Sequence, residues 1–254
     1  MILDLFKLNG KVAFVTGAGQ GLGQGMAIAL AEAGADIASL DRIGCDATCE
    51  SIRALGRRYH ESVVDLRDAS IADLNLVVAR IVKEFGHIDI LVNNAGTIRR
   101  TPAIDFLEPD WDDVLQINLK AAFFLSQAVA RVMMSQRNGK IINIVSMLSF
   151  QGGINVPSYT AAKSGLAGIT RALANEWAKH GINVNAIAPG YMATDNTSAL
   201  RADPDRSKSI LGRIPAGRWG TPDDLKGAVV FLASSASDYM CGAILPVDGG
   251  WLTY

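Results

Sequence analysis

The feature that most restricts the fold is an alternation. Seven short β-rich runs, KVAFVTG (11–17), ADIASLD (35–41), HESVVD (60–65), IDILVNNAG (88–96), KIINIVS (140–146), INVNAIAPG (182–190) and AILPVDGG (243–250), are separated by longer segments of helical periodicity. In one of these, Leu166, Ile169, Leu173 and Trp177 recur every three or four residues before Lys179, His180 and Gly181, and cations followed by glycine suit a helix C-terminus. Strand–helix–strand repetition forces parallel pairing, and right-handed crossovers put helices on both faces of the sheet. Strands covered on both faces need unbroken apolar runs, and hydrophobic residues make up 49% of the chain, enough to supply them. The expected fold is α/β, one domain over residues 1–254: a three-layer sandwich doubly wound around a seven-stranded parallel sheet, with its crevice at the strands' C-terminal ends. The charge-rich stretch 191–221 breaks the rhythm after the sixth run. Its position predicts a substrate lid; a helical surface excursion or an oligomer contact is the alternative.

The first run passes straight into TGAGQGLGQG (16–25). Glycine at Gly17, Gly21 and Gly23 permits a tight turn and close backbone approach, and the helix N-terminus that follows offers free N–H groups and partial positive charge to phosphates. A glycine loop between strand and helix favours a Rossmann-type nucleotide site over a mere turn, and no Lys-Ser/Thr follows to suggest an ATPase loop. Asp41 ends the second run, where a carboxylate can accept hydrogen bonds from both adenosine ribose hydroxyls. This favours NAD. A 2′-phosphate about 4 Å away would be repelled by about 4 kcal/mol per unit charge at an effective dielectric near 20. Arg42 leaves a route to NADP if its guanidinium swings to that phosphate, but a solvated surface charge is the preferred reading.

Several function classes are disfavoured. With 24 basic and 25 acidic side chains, the chain lacks the excess of positive charge that a nucleic-acid partner requires. No run of about 18 apolar residues suggests a membrane span, and Asp4 and Lys7 interrupt the N-terminal apolar stretch, so a cytoplasmic protein is expected. Cys45, Cys49 and Cys241 read as reduced thiols, and His60, His87 and His180 form no cluster, so no metal is assigned.

VPSYTAAKSG (156–165) places Tyr159 and Lys163 at i and i+4, on one face of a helix. A phenol with a pKa of about 10 is a poor base at neutral pH. An ammonium roughly 4 Å away stabilises the phenolate by about 4 kcal/mol, about three pKa units before desolvation is subtracted. Ser146 ends the fifth run, so a strand end and a helix face can converge on one substrate oxygen. Each residue also has a structural reading: Ser146 as a strand end, Asn118 as a backbone partner, Tyr159 as packing.

Taken together with TGAGQGLG, Asn93-Asn94-Ala95-Gly96, Asn118 and Pro189-Gly190, these residues resemble the short-chain dehydrogenase/reductase family across the whole chain. The resemblance implies hydride transfer with NAD. Tyr159 would exchange a proton with the substrate oxygen, Ser146 would hydrogen-bond it, Lys163 would also hold the nicotinamide ribose, and Asn118 would support a water relay. It further implies cofactor contacts from Gly17, Gln20, Gly21, Leu22 and Gly23, from Asp65 and Leu66 at the adenine, and from Asn93, Ala95, Gly96, Pro189 and Gly190. Met192 and Thr194 would meet the carboxamide, and the assembly would be a homotetramer. Asp65 could instead cap a turn. A non-catalytic NAD-binding regulatory module would share the fold, as would a methyltransferase, but neither has a use for the Ser146, Tyr159 and Lys163 set.

IRR (98–100), SMLSFQGG (146–153), ANEWAKHGINVNAIAPGYMAT (174–194) and RIPAGRWG (213–220) resemble the sugar-acid dehydrogenases of this family, which serve hexuronate and pectin breakdown; Asp195 and Ala162 depart from that pattern. A small deoxy-keto sugar acid as substrate needs a cation for its carboxylate, and Arg99 or Arg100 is placed to clamp it. Ser146, Met147, Gln151 and Tyr159 complete the expected substrate contacts. Pairing at the surface or between subunits is the other reading for the two arginines, with Arg213 or Arg218 as substitutes.

Overall fold

The computed structural model describes residues 1–253. Seven strands, β1 (Val12–Thr16), β2 (Asp36–Asp41), β3 (Tyr59–Val63), β4 (Ile90–Asn93), β5 (Gly139–Ile144), β6 (Ile182–Pro189) and β7 (Ile244–Val247), form one sheet in the order β3-β2-β1-β4-β5-β6-β7. Every neighbouring pair is parallel. The helices are α1 (Gly21–Glu32), α2 (Asp46–Ala54), α3 (Ile71–Phe85), α4 (Glu108–Leu115), α5 (Ala121–Gln136), α6 (Pro157–Trp177), α7 (Ser198–Ala202), α8 (Pro204–Arg213) and α9 (Lys226–Ala233). Strand order reverses between β1 and β4, and a doubly wound sheet opens its crevice at that reversal.

Period-two alternation divides the core between the two faces. Val12 and Phe14 of β1 pack with Leu74 and Ile81 of α3, Leu125 of α5 and Leu173 of α6. Ala13 and Val15 face the other way, onto Met26 and Leu30 of α1 and Val229 of α9. Both sides of a central strand are therefore apolar, which is why these runs show no polar alternation. One polar chain crosses the core. Asn93 and Asn143 face each other in register on β4 and β5, and Asn93 Nδ2 donates to Asn143 Oδ1 and to Ser126 Oγ, both at 2.9 Å. Asn143 Nδ2 then donates to Thr170 Oγ1. Buried amides need such partners, and here they tie α5 and α6 to the sheet.

The fourth run is a shorter strand than its sequence suggests, because the backbone N–H groups of Asn94 and Ala95 leave the ladder and donate to Thr16 Oγ1, each at 3.0 Å. The helical periodicity around Leu166 continues to Trp177 and then tightens into a 3₁₀ turn, closed by Gly181 at φ +78. A five-residue π-helical turn, Gln116–Lys120, joins α4 to α5. Among the described residues no helix is long and apolar enough to cross a membrane.

The stretch 191–221 leaves and rejoins the body at one point. Ala193 N donates to Gly220 O at 2.7 Å, and Gly220 N donates to Tyr191 O at 2.9 Å. Between these ends lie α7 and α8, and Ile210 and Ile214 pack against Met147 and Trp251.

Candidate active site

The glycine loop lies at the C-terminal end of β1. Gly17 adopts φ +67 and Gly21 φ +58, conformations that favour glycine. A Cβ on Gly23 would lie 1.9 Å from the Gly17 carbonyl oxygen, so the first turn of α1 touches the loop backbone. Gln20 caps α1 without a side-chain hydrogen bond, and the first N–H groups of this helix remain available to an anion. Asn94 holds the loop from the opposite side: its Nδ2 donates to Thr16 O at 2.9 Å and Gly17 O at 3.1 Å. Asp41 supports it from β2, where Oδ2 accepts from Gly19 N at 2.9 Å and Oδ1 accepts from Arg42 N at 2.7 Å. Thr194 approaches from across the crevice, its Cγ2 3.8 Å from the position of a Cβ on Gly21. The open backbone cradle, uncapped helix start and acidic strand end fit a dinucleotide.

The second half of the site gathers at the ends of β5 and α6. Ser146 follows β5, is buried, and its Oγ accepts from Leu148 N at 3.1 Å. Tyr159 is partly exposed in the first turn of α6, while Lys163 one turn later is buried. Lys163 Nζ donates to Ile144 O at 2.7 Å and lies 5.6 Å from the Tyr159 ring centroid. Burial pushes the phenol up to about 12, and the neighbouring Ser146 hydroxyl and the Arg100 charge oppose that rise. Burial pushes the Lys163 ammonium down to about 8. Desolvation is thus the largest influence on both groups, and Lys163 Nζ is turned to the Ile144 carbonyl.

Asn118 sits in the π-helical turn, a distortion common at functional positions. Its Nδ2 donates to Thr97 O and Val114 O, both at 2.9 Å, while its buried Oδ1 has no partner. That oxygen would be 2.6 Å from a Cβ on Gly96, on the same side of Gly96 as Lys163 Nζ. The acceptor and the ammonium therefore share one pocket.

Other sequence-derived candidates fall in different surroundings. Asn93 turns its amide into the core network and is 3% exposed, so that the crevice is lined by Asn94 instead; sequence reasoning missed this loop-holding role, although NNAG contains both amides. Asp65 is exposed and its Oδ1 accepts from Arg67 N at 2.9 Å, the turn-capping arrangement, and Leu66 is buried in the core. Gln20 is exposed and Leu22 half-buried on α1. Ala95 and Gly96 follow β4, while Pro189 and Gly190 follow through the end of β6, where a Cβ on Gly190 would meet Asp248 Cα at 2.6 Å. Met192 is buried in the core cluster of α1 and α9, and Met147 is buried with Ile210, Ile214 and Trp251.

The arginines separate cleanly. Arg99 pairs with Asp110 at 3.1 Å and Asp113 at 3.2 Å, the paired reading left open by the sequence. Arg218 makes a two-pronged contact with Asp224, at 2.8 and 2.7 Å. Arg100 has no such partner among the described residues and donates to Asn196 O, within the 191–221 stretch, at 2.9 Å. Arg213 Nη2 donates to Gln151 Oε1 at 3.2 Å.

Residues 17–252 match the family model described as Enoyl-(Acyl carrier protein) reductase. The chain is 62% identical over 253 residues to the 2-dehydro-3-deoxy-D-gluconate 5-dehydrogenase of Escherichia coli (strain K12), covering 99% of each. A solved structure from Agrobacterium tumefaciens with bound NADP is 53% identical, with TM-score 0.91, covering 99% of this chain and 100% of that one. The gluconate 5-dehydrogenase of Burkholderia cenocepacia J2315, solved with NADP and tartrate, is 39% identical with TM-score 0.95, covering 100% of both chains.

Proposed function

The chain belongs to the short-chain dehydrogenase/reductase family and is an oxidoreductase acting on a CH–OH group, and on that premise we propose that it interconverts the 5-hydroxyl and 5-ketone of 2-dehydro-3-deoxy-D-gluconate in hexuronate and pectin breakdown. The observation that carries this reading is the convergence of Ser146, Tyr159 and Lys163 on one pocket beside the glycine cradle. The proposed cofactor is NAD, held by Gly17, Gly21, Gly23, Asp41 and Lys163, and when bound it accepts or returns the hydride. Support for NAD rests on the Asp41 carboxylate, although relatives have been solved with NADP. The proposal includes a cytoplasmic homotetramer, for which the expected solution mass is that of four chains.

In this reading Tyr159 takes the proton from the substrate hydroxyl, or returns it to the ketone, through its phenolic oxygen. Ser146 donates a hydrogen bond to the same substrate oxygen and holds it at the phenol. Lys163 is fixed by the Ile144 carbonyl and lends positive charge as the phenolate forms, when attraction in a buried site matters most. Asn118 Oδ1 is a buried acceptor left free for a proton path out of the pocket. The segment 191–221 folds over the substrate and keeps solvent out.

Incubating the purified protein with NAD or NADP and, in turn, 2-dehydro-3-deoxy-D-gluconate, gluconate and a simple secondary alcohol tests this. Reduced cofactor should appear fastest with NAD and the deoxy-keto acid. Faster turnover of gluconate would move the assignment to another sugar acid, and a preference for NADP would overturn the role given to Asp41.

The pH profile offers a separate check. Arg100 charge opposes the upward shift of Tyr159, so removing it favours the neutral phenol further. In the oxidative direction, where the unprotonated base is needed, Arg100→Ala should move the ascending limb of kcat/KM to higher pH. An unmoved limb, or one displaced to lower pH, removes Arg100 from the electrostatics of the site.

A further inference from the structure

A sugar acid oxidised at carbon 5 carries its carboxylate at carbon 1, four carbon–carbon bonds away, or about 5 Å in an extended chain. Its anchor therefore belongs a molecule's length from the phenol and not beside it. Arg100 is engaged by the Asn196 carbonyl, and its charge also reaches the Tyr159 phenol. Arg99 and Arg218 are already neutralised by carboxylates. Arg213, the last residue of α8, has no carboxylate within the 4.0 Å of an ion pair among the described residues.

Its guanidinium is nonetheless held. Arg213 Cζ stands 4.0 Å over the Trp251 ring, a stacking distance that orients the planar fork, and Gln151 accepts one of its N–H groups. Trp251 is itself fixed: 5% exposed, 4.8 Å from the Tyr191 ring, and packed with Met147, Ile210 and Ile214. Its buried indole N–H has no partner among the described residues, a polar group of the kind a ligand satisfies. Arg100, Arg206 and Arg213 all bring positive charge to Tyr191. A guanidinium oriented by an aromatic plane, without a carboxylate partner among the described residues, on a platform packed with Met147 beside Ser146, is built to receive one.

Resting on the reaction proposed above, we infer that Arg213 binds the substrate carboxylate, with Trp251 as a positioning residue that aims its guanidinium and Gln151 bracing it. The anchor sits on α8, so substrate acid and the position of this helix are coupled: occupancy of Arg213 holds α8 on the Trp251 platform.

Steady-state kinetics with the acid and its carbon-1 amide test this. Arg213 is exposed, so Arg213→Ala should fold; unchanged circular dichroism verifies it. This variant should raise KM for the acid at least tenfold, lower kcat far less, and reduce the acid-over-amide preference by a similar factor. Arg213→Lys, which keeps the charge but loses the fork, should fall between. Trp251→Leu should raise KM for the acid more than it lowers kcat. An acid KM within twofold of the parent and an unaltered preference in Arg213→Ala would sink the anchor while leaving the reaction intact. Failure of the parent protein to oxidise or reduce either compound with either nicotinamide cofactor would sink the reaction itself.

Discussion

Replacing Tyr159 by phenylalanine is expected to reduce kcat by about 10²–10⁴-fold, the range a positioned acid–base group supplies. The hydroxyl is the only group this change removes, and the ring remains on the first turn of α6 beside Lys163. Binding of reduced NAD, followed by its fluorescence, should change little, because the glycine cradle, Asp41 and Lys163 are untouched. The phenol is raised to about 12 by burial while Lys163 is lowered to about 8. The neutral phenol and a still largely charged ammonium are thus the forms present near neutral pH. That state is ready to donate in the reductive direction, whereas oxidation needs the proton drawn off first. Oxidation in the parent should accordingly speed up with rising pH. Retention of near-parent kcat by Tyr159→Phe would show that another group moves the proton.

The second large effect is expected at Gly23. An added methyl would stand 1.9 Å from the Gly17 carbonyl oxygen and 2.4 Å from Asn94 Nδ2, and neither can yield without moving the loop. Overpacking of this kind costs about 1–3 kcal/mol or more, and at this chain length each kcal/mol lowers the melting temperature by about 2–4 °C. Gly23→Ala should therefore melt several degrees lower and bind NAD poorly, because displacing the loop misplaces the N–H groups meant for phosphate. Gly168 is the contrast. A Cβ there meets nothing within 4 Å, and the residue lies inside α6. Gly168→Ala should hold or raise stability by a few tenths of a kcal/mol up to about 1 kcal/mol, since alanine restricts the unfolded chain. Equal melting of the Gly23 variant and its parent, with equal NAD affinity, would show that loop contact is not what demands glycine there.

These two sites differ in how they could be read. Gly23 was visible as part of a strand–glycine–helix string, and its need for a bare Cα follows from contacts within that unit and its neighbour β4. Tyr159 and Lys163 were visible as a helical i, i+4 pair, yet the balance between charge and burial was not. Desolvation depends on everything packed around a group, and Lys163 Nζ is turned to a carbonyl on β5. Asn93 and Asn94 show the same limit: adjacent amides in one string take opposite directions, one into the network with Asn143 and Ser126, the other onto the glycine loop. The π-helical turn that presents Asn118 had no signal in residue type.

By itself the sequence determined the parallel sheet, the glycine cradle and the residue types that can move a proton, because periodicity and short motifs are local properties of the chain. Only the tertiary structure decided which arginines are taken up by carboxylates. Asp110 and Asp113 of α4 take up Arg99, and Asp224 takes up Arg218, whereas Arg213 meets Trp251 from the far end of the chain. Charge neutralisation acts over a few ångströms in space, and those distances are set by packing between elements, not by spacing along the backbone.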